Sequence, residues 1–270
     1  MDGGRKRPGF RVLTYNVRYE GTTDGPLSWE ARRSAVVSEL RRLDADVLAL
    51  QELWLNQLPD LRERLTDYEW VAESGELPHT AIAYRPARFA LVEGETFWLS
   101  EPDAEPGAAG WDATYQRRVT RATLRDRETE RPLATYSVHL DHEGDRARRE
   151  GIGVIRDRAS TLGNDCEVVV AGDLNAEPGA PAYERAVAVE PGWRSLHDAA
   201  RVASVVDGPG ATYTGFGGED DRCLDHVLVS DRLSVDRFRR CVPSSESSRF
   251  RPSDHRPVLA ELRHEDPRTV

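Results

Sequence analysis

Residues 168–175 read Val168-Val169-Val170-Ala171-Gly172-Asp173-Leu174-Asn175, and the fold is decided there. Four consecutive apolar residues, three of them β-branched, suit a strand covered on both faces. Gly172 has no Cβ, so the backbone can turn or be approached closely at the strand's end. Asp173 and Asn175 are two apart, and on an extended backbone they point to the same side. A carboxylate beside a carboxamide on a rigid strand is a place to hold water, metal or phosphate. Taken alone, the stretch reads equally well as a strand running into an Asx turn, so the flanking chain has to choose.

Toward the N-terminus, residues 10–18 form a strand-like run with Asn16 and Arg18 near its C-terminal end. Ser28 is a candidate N-cap. Trp29, Val36, Val37, Leu40 and Leu43 follow at helical spacing, which predicts an amphipathic helix with arginines on its other face. Residues 46–52 read as a second buried strand that ends in Glu52, and residues 55–65 as a helix. Short strands are predicted over 68–72, 80–84, 89–92 and 96–99. A surface loop over 100–110 and further strands over 113–125 and 133–140 follow. The last of these runs into His139-Leu140-Asp141-His142.

Toward the C-terminus, an arginine-rich helix is predicted over 145–162 and a short one over 181–189. Loops carry Trp193, His197 and Asp198, and then residues 211–216. Residues 223–229 read as a strand with Asp225 near its start, and 233–242 as another. Ser253-Asp254-His255 precedes a final apolar strand over 257–262. Strands alternate with helices in both halves, yet several strands follow one another directly. That predicts an α/β sandwich with mixed sheets rather than a parallel barrel. The expected division is a short flexible N-terminus over 1–9, one domain over 10–264 and a tail over 265–270.

Bulk properties narrow the function. The chain has 270 residues, 31% charged and 39% hydrophobic, enough for one sizeable core. No stretch of 18 apolar residues is present, so no membrane span is expected. The basic start Met1-Asp2-Gly3-Gly4-Arg5-Lys6-Arg7-Pro8 lacks an apolar segment, so a cytoplasmic monomer without a leader is the expectation. Cys166, Cys223 and Cys241 show no CxxC spacing and read as reduced, apolar residues. The net charge of −10 gives no overall attraction for nucleic acid. Lys6 is the only lysine, which excludes a Walker A phosphate loop; HExxH and GxSxG are also missing.

The polar side chains at strand ends carry the chemistry. Asn16, Glu52, His139 and Asp173 come at C-terminal ends, whereas Asp225 and Asp254-His255 come at N-terminal starts. If the strands after Asp225 and His255 run antiparallel to the others, all six clusters converge on one edge. Carboxylates with waters suit a hard cation such as Mg²⁺, with Mn²⁺ as a substitute. Histidines serve as acid, base or charge stabiliser. Asparagines hold a phosphoryl oxygen. Together they describe metal-assisted phosphoester hydrolysis.

The motifs Thr14-Tyr15-Asn16-Val17-Arg18, Gln51-Glu52, Ser137-Val138-His139-Leu140, Gly172-Asp173-Leu174-Asn175, Leu224-Asp225-His226 and Ser253-Asp254-His255 match, in order, those of a known family. The chain resembles the endonuclease/exonuclease/phosphatase superfamily with the DNase I-like fold, from about residue 10 to 262. It is also distantly similar to its carbon-catabolite-repressor type deadenylases.

The resemblance implies a four-layered α/β sandwich with two mixed β-sheets. It implies Glu52 as principal metal ligand, with Asp254 and Asn16 beside it. Asp173 would position the attacking water, and Asn175 would hold the phosphate. His255 would stabilise the phosphoryl group with Asp225 orienting its ring, and His139 would lie over the scissile phosphate. Arg18 is a further candidate for substrate contact. Arg117 and Arg118 read as a solvated face, with a phosphate clamp as the alternative, and His226, which replaces a tyrosine common in relatives, as packing, with substrate contact as the alternative. Asp141 and His142 read as loop polarity or site lining. Trp29, Trp98 and Trp193 read as core or rim packing.

The expected activity is a nuclease or 3′–5′ exonuclease-like phosphodiester hydrolase on RNA or DNA. The alternatives are a phosphatase or phosphodiesterase on a small or lipid phosphate, and a catalytically silent binding module.

Overall fold

The computed structural model describes residues 9–21, 25–54, 56–73, 79–245 and 250–265. Most of the expected N-terminal and C-terminal tails, and the expected helix start at Leu55, lie outside these residues. In chain order the elements are β1 (Phe10–Asn16), α1 (Trp29–Leu43), β2 (Val47–Leu53), α2 (Gln57–Arg64), β3 (Glu69–Val71), β4 (His79–Tyr84) and β5 (Phe89–Trp98). They continue with β6 (Arg118–Asp126), β7 (Pro132–His139), α3 (Asp145–Ser160), β8 (Glu167–Asp173), α4 (Pro181–Val187), β9 (Leu196–Asp198) and α5 (Ala199–Val202). The last four are β10 (Val205–Asp207), β11 (Asp225–Ser230), β12 (Leu233–Arg240) and β13 (Val258–His264).

Two mixed sheets form. One has the order β10-β12-β13-β1-β2-β4-β3, the other β5-β6-β7-β8-β11-β9. Strand alternation sorts the apolar residues into three layers. Val12, Val47, Ala49, Val169, Ala171, Val227, Val258 and Ala260 fill the space between the sheets. Leu13, Tyr15, Leu48, Leu50 and Leu259 pack under α1 and α2. Tyr136, Val138, Val168, Val170 and Leu228 pack under α3 and α4. The result is the expected four-layered sandwich of helices, two sheets and helices. Ser28 caps α1 as expected, its side chain accepting from Ala31 N–H.

Strand direction places the site. β1 and β2 are parallel and β13 runs antiparallel beside β1. In the other sheet β7 and β8 are parallel and β11 runs antiparallel beside β8. The C-terminal ends of four strands and the starts of two therefore share one edge. The inner face turns polar toward that edge. Thr14 donates to Gln51, Gln51 donates to Ser137 Oγ, and Ser137 donates to the carbonyl of Leu50, bridging the sheets.

Four local expectations are corrected. The strands over 89–92 and 96–99 are one ten-residue edge strand, β5, with a register shift between Leu91 and Glu93. Its charged middle read as a loop because only one side of an edge strand is paired. The strand predicted from 113 starts only at Arg118, because the Asp141 carboxylate draws Thr114 N–H (3.3 Å) and Tyr115 N–H (3.4 Å) away. The region of His197 and Asp198 is the short strand β9, followed by α5 and β10. Arg117 does not sit on a solvated face: its guanidinium contacts Asp141, His139 and His142.

The three cysteines are free, as expected. Among the described residues no helix is long and apolar enough to cross a membrane.

Candidate active site

Asn16 is the junction of the two sheets. Its Nδ2 donates to Glu52 Oε1 (2.9 Å) and to Asp173 Oδ2 (3.1 Å). Its Oδ1 accepts from Arg18 N–H at 3.0 Å, which fixes the amide orientation. Strand parity puts Glu52 with Leu48 and Leu50, on the face covered by helices. A register shift between Leu50 and Leu53 and a φ of 62° turn it instead into the cleft, where Oε2 accepts Tyr19 N–H (2.9 Å). Arg18 (φ 58°) and Asn175 (φ 46°) also occupy the left-handed region. Three functional candidates thus hold a backbone conformation disfavoured for residues with a Cβ.

Asp173 closes β8 and pairs in register with both Asp225 and His139. Its Oδ1 accepts Asn175 N–H (2.8 Å), so the Asx turn and the site are the same object. Asn175 uses one N–H of its amide on the Leu140 carbonyl (3.0 Å); the other remains for a ligand. Burial raises the Asp173 pKa; His255 opposes this and Asp225 adds to it. Gly172, at φ 156°, is where β7 comes closest: a Cβ there would lie 1.9 Å from the Val138 carbonyl oxygen.

The two histidines have opposite partners. His255 Nδ1 lies 2.8 Å from Asp225 Oδ2, and its Nε2 lies 3.6 Å from Asp173 Oδ2. A carboxylate accepts, so Nδ1 carries a proton. Burial lowers the His255 pKa, but the negative charges of Asp225 and Asp173 outweigh it and raise it well above the usual imidazole range. His139 Nδ1 lies instead 3.2 Å from Arg117 Nη1. A guanidinium only donates, so Nδ1 accepts and the ring proton sits on Nε2. That nitrogen faces Asp173 Oδ2 (3.5 Å) and Glu52 Oε1 (3.9 Å). Burial, then Arg117, hold the His139 pKa well below the usual range. His255 is the cationic histidine and His139 the neutral donor.

Of the expected metal donors, Glu52 and Asp254 offer the carboxylate oxygens a hard cation takes. Asn16 turns its Nδ2–H₂ to Glu52 and Asp173 and gives its oxygen to Arg18 N–H, so in this arrangement it orients the carboxylates rather than offering an oxygen. Burial first, and then the Glu52 charge, raise the Asp254 pKa while His255 and Arg18 oppose it; crowded carboxylates of this kind are what a dication relieves. Arg18 stands 3.8 Å from Glu52 and 3.9 Å from Asp254. It therefore flanks the candidate metal carboxylates as well as facing the cavity. Among the described residues Asp173, Asp225 and His255 also form a tight cluster, their donor atoms within 4.8 Å. Asp225 and His255 bind each other there, so that set is not an open ligand shell.

Arg18, Glu52, His139, Asp173, Asn175, Asp254 and His255 line one cavity of about 520 Å³ with Tyr19, Trp54, Tyr115, Arg117, His142, Tyr213 and Arg222, while Asn16 and Asp225 are buried behind that lining. The latter seven lining side chains, His142 excepted, were not singled out as site residues from the sequence. Arg117 has the sequence context of a surface arginine, and nothing in the sequence marks the four aromatics. His226 packs as expected, buried against Tyr183, with Nε2 2.9 Å from the Ala176 carbonyl. Asp141 is a staple: it accepts from the N–H groups of Glu143 (3.1 Å) and Gly144 (2.8 Å) and meets Arg117 at 3.3 Å. Trp29, Trp98 and Trp193 lie outside the cavity lining.

The sequence model of the Endonuclease/Exonuclease/phosphatase family matches residues 13–255. A relative, carbon catabolite repressor protein 4 homolog 6 of Arabidopsis thaliana, is 26% identical over 205 residues, 64% of this chain and 26% of its own. The chain spans about half the length, or less, of the curated relatives it matches. The crystal structure of an endonuclease/exonuclease/phosphatase from Bacteroides vulgatus is similar with a TM-score of 0.87 and 27% identity, covering 96% of this chain and 100% of that one. A mannosyl-6-phosphatase of Bacteroides thetaiotaomicron is similar with a TM-score of 0.82 and 26% identity, covering 94% and 99%.

Proposed function

This chain belongs to the Endonuclease/Exonuclease/phosphatase family, and on that premise we propose that it is a Mg²⁺-dependent phosphoester hydrolase in which water attacks phosphorus. The observation that carries the reading is the Asn16 amide bridging Glu52 and Asp173. It sets a metal-type carboxylate and a water-positioning carboxylate side by side, below two histidines of opposite charge state. A silent binding module has no need of so complete a set.

With Asn16 orienting Glu52 through its Nδ2–H, Glu52 and Asp254 would hold the metal. When bound, it supplies a Lewis acid that polarises the phosphoryl oxygen and lowers the cost of charge there. Asp173 orients the attacking water and accepts its proton. The His255 imidazolium, fixed by Asp225, faces the phosphoryl oxygens as a cationic donor. His139 offers Nε2–H as a neutral donor to the same group, and Asn175 donates its remaining amide N–H.

For the substrate we propose a phosphoester presented end-on: the terminal nucleotide of an RNA or DNA strand, as an exonuclease takes it, or a free small phosphate ester. A 520 Å³ cavity has the size of a small-molecule site, and the net charge of −10 adds no pull toward long duplexes. The mannosyl-6-phosphatase among the similar structures favours the small ester.

The test is turnover of 3′-end-labelled single-stranded RNA, plasmid DNA, bis-p-nitrophenyl phosphate and small phosphate monoesters, each with Mg²⁺, with Mn²⁺ and with EDTA. Loss with EDTA and recovery with Mg²⁺ is expected. Turnover of any of these in EDTA overturns the metal assignment, and nicking of plasmid in preference to every end-on substrate overturns the substrate assignment.

A further inference from the structure

One wall of the cavity touches none of the reacting atoms in the reaction outlined above. It consists of Tyr115, Arg117 and His142. Tyr115 is 57% exposed although it is a large aromatic residue. Its ring stacks on His142 with centroids 5.7 Å apart and planes 16° from parallel. The His142 ring and the Tyr115 backbone are fixed from behind. Arg117 Nη2 reaches His142 Nδ1 at 3.0 Å while Nη1 reaches His139 Nδ1 at 3.2 Å. Its Nε meets the buried Asp141 at 3.3 Å, and Asp141 also accepts Tyr115 N–H at 3.4 Å. Thr114 Oγ1 ties the same loop to Glu143 at 2.8 Å.

One planar guanidinium thus separates the histidine that faces the phosphate from the histidine under the exposed tyrosine. Given the fork's own width, the two Nδ1 atoms are less than about 9 Å apart. That is the reach of a single sugar or nucleoside attached to a phosphate. An exposed aromatic ring, stacked, anchored and one guanidinium away from the reacting group, is a seat for the flat face of another ring.

Resting on the hydrolase reading above, we propose that Tyr115 and His142, clamped by Arg117, form a leaving-group subsite that selects phosphoesters carrying a ring, a nucleoside or a hexose, over open-chain phosphates. The shared recognition is a flat ring face lying on Tyr115. Tyr115 and His142 bind the leaving group, and Arg117 is the positioning residue that sets their distance from His139.

The experiment compares kcat/KM for a nucleoside 5′-monophosphate, a hexose 6-phosphate and glycerol 3-phosphate, in wild type, Tyr115→Ala and Tyr115→Phe. The wild type should favour at least one ring ester over glycerol 3-phosphate. In Tyr115→Ala that preference should fall about tenfold, the effect of one lost stacking contact, and in Tyr115→Phe it should persist. The favoured ring identifies the source. A wild type without ring preference, or a ratio unchanged by Tyr115→Ala, overturns the subsite.

If none of these monoesters is turned over, the hydrolase reading is decided by the RNA, DNA and diester substrates above, and the subsite is judged by equilibrium binding. The ring esters should then bind more tightly than inorganic phosphate to wild type and lose about tenfold in Tyr115→Ala. Equal binding of ring ester and inorganic phosphate to wild type overturns it.

Discussion

Gly172→Ala is the sharpest perturbation of this fold. The added Cβ would sit 1.9 Å from the Val138 carbonyl oxygen and 2.7 Å from its carbon, and both are backbone atoms of a central strand. Relief to an ordinary contact requires more than about 1 Å of movement between β7 and β8, whose spacing is otherwise set by the hydrogen-bond ladder. Overpacking of this kind costs about 1–3 kcal/mol. A residue with a Cβ at φ 156° adds about 1–3 kcal/mol of backbone strain. We expect a loss of about 2–6 kcal/mol in urea unfolding, and a fall in Tm of roughly 10 °C for a chain of this size.

The movement falls between His139 and Asp173, the residues that follow Val138 and Gly172 in two paired strands. A displacement near 1 Å there should cost on the order of 10²-fold in kcat/KM even in the folded fraction. Gly179→Ala is the control: its φ is 94° but nothing lies within 4 Å of the added Cβ. It should cost only about 1–2 kcal/mol and leave kcat/KM unchanged. A Gly172→Ala protein within 1 kcal/mol of wild type and of full activity refutes the reasoning.

Asp225→Asn removes the charge behind His255 Nδ1, 2.8 Å away. Steady-state kinetics should show kcat lower by on the order of 10²–10⁴-fold with a smaller change in KM, and an unchanged kcat would remove His255 from the reaction. Arg32 is buried and donates to the carbonyls of Val17, Arg18, Leu27 and Pro252, tying together the loops that carry Arg18 and Asp254. Arg32→Ala should cost at least about 3 kcal/mol by urea unfolding; a cost under 1 kcal/mol would show those loops to be held by other contacts. Asp126 is buried, which raises its pKa, yet the neighbouring His264 (3.3 Å) and Arg88 (2.9 Å) hold it well below the usual carboxylate range. A depressed carboxylate stabilises the fold above its unfolded pKa, and that contribution fades as pH falls through the folded value. The stability gap between wild type and Asp126→Asn, followed by thermal unfolding, should therefore be full at pH 7 and shrink steadily below about pH 4; a gap independent of pH would contradict the pairing.

Much of this molecule was readable in advance because its determinants are local. Ser28 announces α1, and the apolar run 168–171 announces β8. The strand-end polar residues converge once β11 and β13 run antiparallel to their neighbours. What escaped depends on residues far apart in sequence. Arg117 looks like one more surface arginine until the Asp141 carboxylate, 24 positions later, pulls its loop off the sheet. Glu52 was found by its position in a motif, but its facing could not be derived from alternation. A register shift against β4 re-aims it. The strands β9 and β10, three residues each, exist only because β11 and β12 offer an edge to pair with, and no pattern that short separates a strand from a loop.

The left-handed backbones at Arg18, Glu52 and Asn175 bear on how this chain can be altered. Each is a position where glycine would fit the conformation more easily than the residue present. A mutational scan scored on folding alone should therefore rank glycine above alanine at all three, and a programme of thermostabilisation guided by backbone statistics would choose them early. The same substitutions delete the proposed metal carboxylate, the proposed phosphate donor and the arginine that stands between Glu52 and Asp254. Selection for hardiness and selection for turnover would pull this cleft apart at the same three codons. A natural sequence that keeps the uncomfortable residues at all of them records which of the two has prevailed.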